Sequence, residues 1–509
     1  MSQSRLPGNH GPVAAWILAR PRRTLWLLLA LQILAHIPFL HLPPVGQHGW
    51  RQVMGHSFAE NFAREDMHPL YPRSRVRVAA DDTGVIYPEL PLVSWLIGAT
   101  WKLKGSMEHT SARLVCLLFT GGLIFFTWHL ARRLGYGTGV ALLSAWFVAW
   151  SPYFVFYSVT PVPDLPAMTV FAAGLVLYLR AHQTGRFGGS FILGALLIGI
   201  AAACKPTWLF FGILLAGIPL HYYRRRPEHG LPWFPTLVAG VIILGLAGGS
   251  ILHSNRLYDE ADRFNRAMMT PGTVGLVASF AEFWRNFSRG ATTWFLEMFV
   301  NMAAIPFFLA GVVAAWRRVG PARWFWSLWC LSFLVFACLF LSRFGDHDYY
   351  LTPVLLPAAT ASALGCRWLW LRGGWQRHLA LVLLILVPVG GVIRVEGRWT
   401  RDVQVPAVLL QEPESLTQLL PPGERILVLG DPTPNVFLYY LNRYGVAPFG
   451  GVDAVLLEGL YQQGIRYAVA RDEKADLRPL LGRATRLGHN QGLSVYRIHP
   501  RAGEPHAAP

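Results

Sequence analysis

Residues 111–130 read SARLVCLLFTGGLIFFTWHL, an apolar run with one arginine near its start, and Arg132 and Arg133 follow it at once. Twenty residues at about 1.5 Å each reach about 30 Å, the thickness of a bilayer's hydrocarbon core. An apolar run that ends in paired arginines reads as a membrane span whose far end faces the cytoplasm. Outward from this stretch, ten further runs are read the same way. They are Thr24–Leu42, Thr138–Val159, Leu165–Leu179, Ser190–Cys204, Thr207–Leu220, Phe234–Leu252, Ala291–Trp316, Trp324–Leu341, Leu351–Cys366 and Leu379–Ile393.

The loops test this reading. Arg20, Arg22 and Arg23 precede the first run, and arginines follow every even-numbered one: Arg180 and Arg186, Arg224–Arg226, Arg317 with Arg318 and Arg323, and Arg367 with Arg372 and Arg377. The arginine-rich loops are therefore expected on the cytoplasmic side with the N-terminus, and an odd number of spans leaves the C-terminus outside. The N-terminal run lacks a small-residue cleavage site, so it is read as a retained span. Composition agrees, since 53% of the 509 residues are hydrophobic and 14% charged, against roughly 25% charged in soluble proteins. The net charge of +17 comes from the loop arginines and does not point to nucleic acid. Lysine occurs only at 102, 104, 205 and 474, an arginine bias suggestive of a GC-rich bacterial genome. The five cysteines lie in or beside apolar runs, without metal-ligand spacing.

The predicted fold class is thus an all-α polytopic membrane protein of about eleven spans with a small C-terminal α/β domain. Residues 1–395 form the membrane part, with a first outer loop at 43–110. In that loop Leu90–Leu103 reads as an interfacial helix, and 254–290 is expected to hold another. Beyond 395 the alternating pattern changes: RILVL at 425–429, RYAVA at 466–470 and LSVYRI at 493–498 read as strands, with a short helix over 435–442. Residues 396–500 make this domain, and 501–509 read as a disordered tail.

Polar residues at the outer ends of spans carry the chemistry, because burying them needs a reason. Five clusters stand out. The first is Gln47-His48-Gly49-Trp50-Arg51-Gln52, continuing to His56, Glu60 and Asn61 on a helical spacing. The second is Tyr87-Pro88-Glu89-Leu90-Pro91, with Asp81 and Asp82 upstream; the third is Pro161-Val162-Pro163-Asp164. Helix capping alone would account for Glu89 and Asp164, while a catalytic carboxylate would sit in the same places. The fourth is Cys204-Lys205-Pro206, where an ammonium beside the bilayer calls for a carboxylate or phosphate partner, or snorkels to the interface. The fifth is Arg343-Phe344-Gly345-Asp346-His347-Asp348-Tyr349-Tyr350, suited to a phosphate and a sugar, or to a metal in concert with distant residues. A phosphate-cradling Gly-rich loop, a CxxC pair and a Ser-His-Asp pattern are all missing from the sequence. Glu297 is the main ionisable residue within a span, too little for a proton-coupled transporter.

In their order and spacing these clusters resemble the GT-C glycosyltransferases related to the protein O-mannosyltransferases and the lipid A aminoarabinose transferase. The carrying stretches are HGWRQ…AENF, YPELPLVSW, PVPD, CKP and HDYYLTPVLLP, spanning about residues 20–395. The resemblance implies transfer of a sugar from a polyprenyl-phosphate donor to a lipid, glycan or protein acceptor at the periplasmic face of a bacterial inner membrane. It implies Lys205, Arg51 and Arg343 on the donor phosphate. Trp50, Gln52, Glu60, His347, Asp348, Tyr349 and Tyr350 would line the substrate. No organic cofactor is called for, and a divalent metal stays open. The sequence departs from the family where an acid normally follows the first span: Val53, Met54 and Gly55 stand there, and Leu90 replaces a lysine after Glu89. That moves the base to Glu89 or Asp164, with His48 or His56 next. The rival readings are a transporter or flippase, and a non-catalytic assembly factor for lipid-linked glycans.

Overall fold

The structure, a computed structural model, describes residues 12–77, 82–225, 227, 230–260, 280–317, 322–340, 344, 347–400, 405–431, 433, 435–448 and 451–500. Arg343, Asp346 and Asp81 lie outside the described residues, as does the expected tail at 501–509.

The chain opens with α1 (Pro12–Ala19) and α2 (Pro21–His36), then α3 (Gly49–Arg64) and α4 (Leu92–Lys104) in the long connection to the next helix. The bundle continues with α5 (His109–Arg133), α6 (Thr138–Ala149), α7 (Pro152–Tyr157), α8 (Asp164–Thr184), α9 (Gly189–Cys204), α10 (Gly212–Arg225) and α11 (Trp233–Glu260). After the undescribed stretch come α12 (Phe280–Arg289), α13 (Ile305–Arg317), α14 (Arg323–Phe340), α15 (Leu355–Arg372) and α16 (Gly374–Thr400). Helices suit this setting because they satisfy every backbone group within the segment, which a bilayer demands.

By length and apolarity, six helices among the described residues can cross a membrane. A seventh candidate is the pair Trp284–Val300 and Met302–Ala315, bent by 88°. The break falls at Asn301, whose left-handed backbone (φ 77) is held by its own amide: Nδ2 donates to Trp150 O and Val387 O, and Oδ1 accepts from Ala303 N. The remaining expected spans correspond to α2, α6, α9 and α10, which are 16, 12, 16 and 14 residues long. Proline explains two of these endings. Pro38 sits in the 3-10 turn that closes α2, and Pro152 begins a new helix after α6.

Close helix contact is bought with small residues. On α13 and α15, a Cβ added to Gly311 or Gly365 would overlap a backbone carbonyl of the other helix, at Ala361 and Phe307 respectively. Such backbone-to-backbone approach is how membrane helices associate when apolar burial gives no net drive. Gly365→Ala is therefore expected to destabilise the protein by roughly 1–3 kcal/mol, the cost of overpacking a tight contact. A fall in the detergent melting temperature would show it, and an unchanged melting point would show the helices can part freely.

The expected interfacial helix is α4, which packs on α3 through Val93, Ile97 and Trp101. Of the 254–290 stretch the structure describes the end of α11 and α12; from Trp284 on, α12 belongs to the bent pair above, and residues 261–279 lie outside the described set. Beyond α16, five strands form one sheet: β1 (Ile426–Leu429), β2 (Gly445–Val446), β3 (Tyr467–Arg471), β4 (Ala484–Asn490) and β5 (Leu493–Ile498), in the order β2-β1-β3-β5-β4. β1 pairs in parallel with β2 and β3, whereas β5 runs antiparallel to β3 and β4. Three strands were expected; β2 is two residues long and β4 has an exposed face, so neither leaves an apolar run to read.

The sheet is tied to the membrane part. Val76 of the α2–α5 connection bridges Gly445, with Arg77 N donating to Gly445 O (2.8 Å) and Gly445 N to Arg75 O (3.1 Å). The loop thereby covers the β2 edge, which would otherwise be an open pairing template. Arg75 joins Glu60 (2.5 Å) to Asn442 (3.0 Å) across the same junction. Nearby, burial raises the Glu65 carboxyl, but hydrogen bonds from Arg77, Arg73 and Tyr444 outweigh it and hold the group below its ordinary range.

Candidate functional site

Three ion pairs gather where the long α2–α5 connection meets α8, the α9–α10 junction and the entry to α15. Each is fixed by a local device. The loop after α2 is stapled by Arg113 of α5, buried, which donates to Leu42 O (2.8 Å), Pro43 O (2.6 Å) and Val159 O (3.1 Å). Gly46 (φ 86) lets this loop touch Arg398 O, where any Cβ would collide. Gln52 completes the fastening by donating to Val45 O (2.9 Å) and Gln47 O (3.2 Å). His48 follows in a left-handed conformation (φ 54), uncommon for a residue with a side chain and concentrated at functional sites.

The first pair is Arg51 with Glu89. Arg51 projects from the first turn of α3, while Glu89 sits on a strap whose Leu90 N donates to Ala203 O (3.0 Å), the last turn of α9. That bond brings YPELP beside Cys204-Lys205-Pro206. The second pair is Lys205 Nζ with Asp164 Oδ1 at 3.2 Å, both side chains at most 10% exposed. Lys205 leaves α9 in extended conformation because Pro206 follows it. Its ammonium also lies 5.1 and 5.4 Å from the ring centroids of Tyr349 and Tyr350, within the range of cation–π attraction. Asp164 opens α8, its charge favoured by the helix dipole. Its Oδ2 is buried and has no hydrogen-bond partner among the described residues.

The third pair is the most enclosed. Asp348 is fully buried and accepts from Tyr157 OH (2.6 Å), with His48 Nε2 at 3.2 Å and Arg398 at 2.7 Å. His347 stacks on Tyr349 with centroids 5.1 Å apart, and His48 packs edge-on to Tyr349 at 4.9 Å. Tyr349 is thus the hub, within electrostatic reach of Arg51, Asp164 and Asp348 together.

Of the residues singled out in the sequence, the structure brings together His48, Arg51, Glu89, Asp164, Lys205, His347, Asp348, Tyr349 and Tyr350. Trp50 stands at the edge, 6.4 Å from His347 by ring centroid. Gln52 spends its amide on the loop backbone. Glu60 faces the C-terminal domain through Arg75 and pairs with Arg64 (3.0 Å). His56 also stands on that side, against Tyr439 and His109, and burial with His109 and Arg113 nearby keeps it neutral well below the ordinary histidine range. Glu297 pairs with Arg394 (2.9 Å), half-exposed. Among the described residues no three His, Cys, Asp or Glu side chains converge on a point where a metal would sit.

Sequence reading missed Arg398, Tyr157 and Arg113. One signal was present: Arg394 and Arg398 stand at the end of the last span, expected outside, where the positive-inside rule gives no reason for arginine.

Residues 88–246 match the family described as Dolichyl-phosphate-mannose-protein mannosyltransferase. Among solved structures, ArnT from Cupriavidus metallidurans in the apo state superposes with a TM-score of 0.65 at 14% identity, over 96% of this chain and 98% of that one. The chain has the GT-C fold. The same ArnT bound to undecaprenyl phosphate gives a TM-score of 0.63 at 14% identity, over 94% and 98%. The GT-C fold of this chain is also similar to the archaeal oligosaccharyltransferase AglB from Archaeoglobus fulgidus, in complex with an inhibitory peptide and a dolichol-phosphate. There the TM-score is 0.55 at 12% identity, over 96% of this chain and 75% of that one. No curated protein matches the chain by sequence.

Proposed function

We propose that the protein is a glycosyltransferase that moves a sugar from a polyprenyl-phosphate carrier to an acceptor at the outer face of a bacterial inner membrane. The observation that carries this reading is the pairing of two cations, Lys205 and Arg51, with two carboxylates, Asp164 and Glu89, around Tyr349. A lipid phosphate arriving from the bilayer offers both cations a partner in place of a carboxylate. The GT-C fold, and the lipid phosphates bound by ArnT and AglB, support the same chemistry.

In this mechanism Lys205 and Arg51 hold the phosphate oxygens and stabilise charge as the bond between the anomeric carbon and the phosphate oxygen breaks. The acceptor hydroxyl oxygen bonds to that carbon and gives its proton to Asp164, whose Oδ2 has a lone pair to spare. Glu89 orients Arg51, and Tyr349 and Tyr350 flank the sugar. Asp348, gripped on three sides, positions His48 and Tyr157. Arg343 remains a candidate third cation from its place in the sequence. The C-terminal domain would recognise the acceptor or cover the site.

The test is a transfer assay with purified protein in lipid, using radiolabelled polyprenyl-phosphate sugars as donors and source membranes as acceptors. Label should pass from carrier to acceptor, and Lys205→Ala and Glu89→Ala should each lower the rate, Lys205→Ala by roughly 10²–10³-fold. Full activity in Lys205→Ala would sink the phosphate assignment. Carrier crossing the bilayer without covalent change would replace the enzyme by a transporter.

A further inference from the structure

A cavity lies at the end of the bundle away from the ion pairs. Three helices set the polarity: α2 ends, α15 begins and α16 finishes beside the ion pairs. The cavity takes the opposite end of each, from Thr24 to Leu31 on α2, Cys366 to Leu371 on α15, and Arg377 to Pro388 on α16. Its volume is about 990 Å³, at the top of the range of roughly 300–1,000 Å³ for ligand pockets. From Arg377 to Pro388 is eleven residues along the helix, about 16 Å at 1.5 Å per residue. That is about half of a hydrocarbon core of about 30 Å, the depth of one leaflet.

The chemistry is divided along this depth. Leu28, Trp146 and Ile385 are typical of walls that are almost wholly apolar, and α1 closes one side with Trp16. The two charged side chains lining it, Arg367 and Arg377, are exposed and stand at the mouth. Among the described residues neither guanidinium meets a carboxylate, and Arg377 stacks on Trp370 with its carbon 4.5 Å from the ring centroid. An apolar slot one leaflet deep, with two uncompensated cations at the headgroup level, complements a molecule with acyl chains and an anionic head. A void of this size would forfeit the dispersion contacts of its whole lining, so a chain-like occupant stabilises the walls.

We infer that this cavity is a binding site for one anionic glycerophospholipid of the leaflet facing the arginine-rich loops, its phosphate held by Arg367 and Arg377. The lipid is separate from the carrier proposed at Lys205 and Arg51, and it props α1 against α2 and α16.

The probes are phosphatidylglycerol and phosphatidylcholine, added to the full chain after delipidation in mild detergent and counted by native mass spectrometry. One phosphatidylglycerol should bind about thirtyfold more tightly than phosphatidylcholine, from roughly fivefold per arginine near a membrane surface. Arg367→Ala/Arg377→Ala should erase the preference, and Leu28→Trp should fill the slot and abolish retention of either lipid. Equal binding of the two lipids by the wild-type protein would overturn the proposal, as would a preference that survives loss of both arginines. Displacement of phosphatidylglycerol by equimolar undecaprenyl phosphate would reassign the slot to the carrier. The wild-type comparison stands even if a variant fails to fold.

Discussion

Asp164→Asn is expected to lower sugar transfer by roughly 10²–10⁴-fold, the range for removing a positioned proton acceptor. The amide keeps the shape of the side chain but cannot take the acceptor's proton. It also leaves Lys205 without its anionic partner at 3.2 Å. The donor phosphate then has the ammonium to itself, so the carrier should bind at least as tightly while the maximal rate falls. A merely structural carboxylate predicts a different pattern, with rate and affinity lost together. A second readout separates them further. The unpaired buried ammonium should lower thermal stability, and undecaprenyl phosphate should restore more of it in the variant than in the wild-type protein. Transfer in Asp164→Asn that stays above the 10²-fold bound would remove Asp164 from the base role, and Glu89 would take its place.

Arg398→Ala should destabilise the protein by about 3–5 kcal/mol, the usual cost of stranding one partner of a buried ion pair. Asp348 is fully buried and Arg398 is its strongest partner at 2.7 Å, so no water can take over the charge at small cost. Asp348→Leu/Arg398→Leu removes both charges and should be far milder in melting temperature than either single change, because packed apolar side chains replace an ion pair well. Transfer should nonetheless stay impaired in the double variant, since His48 and Tyr157 lose the carboxylate that orients them. Single and double variants melting together would show that the two groups do not act on one another.

These two residues also mark what sequence could and could not say. The short motifs were legible because each puts its chemistry beside a feature that local physics explains. Lys205 stands before a proline that ends a helix, Asp164 at a helix start, Glu89 ahead of an amphipathic turn. Their mutual pairing was not legible, because Arg51 finds Glu89 and Lys205 finds Asp164 only once α3, α8 and α9 have packed together. Asp348 draws on His48 and Arg398, one of them 300 positions away, and no periodicity encodes such a meeting. The bundle was readable as apolar runs, yet the run 291–316 concealed the bend at Asn301, since one asparagine with three backbone bonds leaves no mark on average hydropathy. In the C-terminal sheet the buried strands β1, β3 and β5 announced themselves, whereas β4, exposed on most of its length, did not.

Arg398 belongs to the last turn of α16, three residues past the point where the composition shifts from membrane to soluble character. The third ion pair is therefore assembled from the very segment that a biochemist would choose as a cutting site. Proteolysis or truncation at residue 395 would leave a membrane body that still inserts, but with Asp348 stripped of its guanidinium and Gly46 of its neighbour. Inactivity of such a fragment would reveal nothing about acceptor recognition by the sheet, so a clean separation has to retain the chain through Thr400.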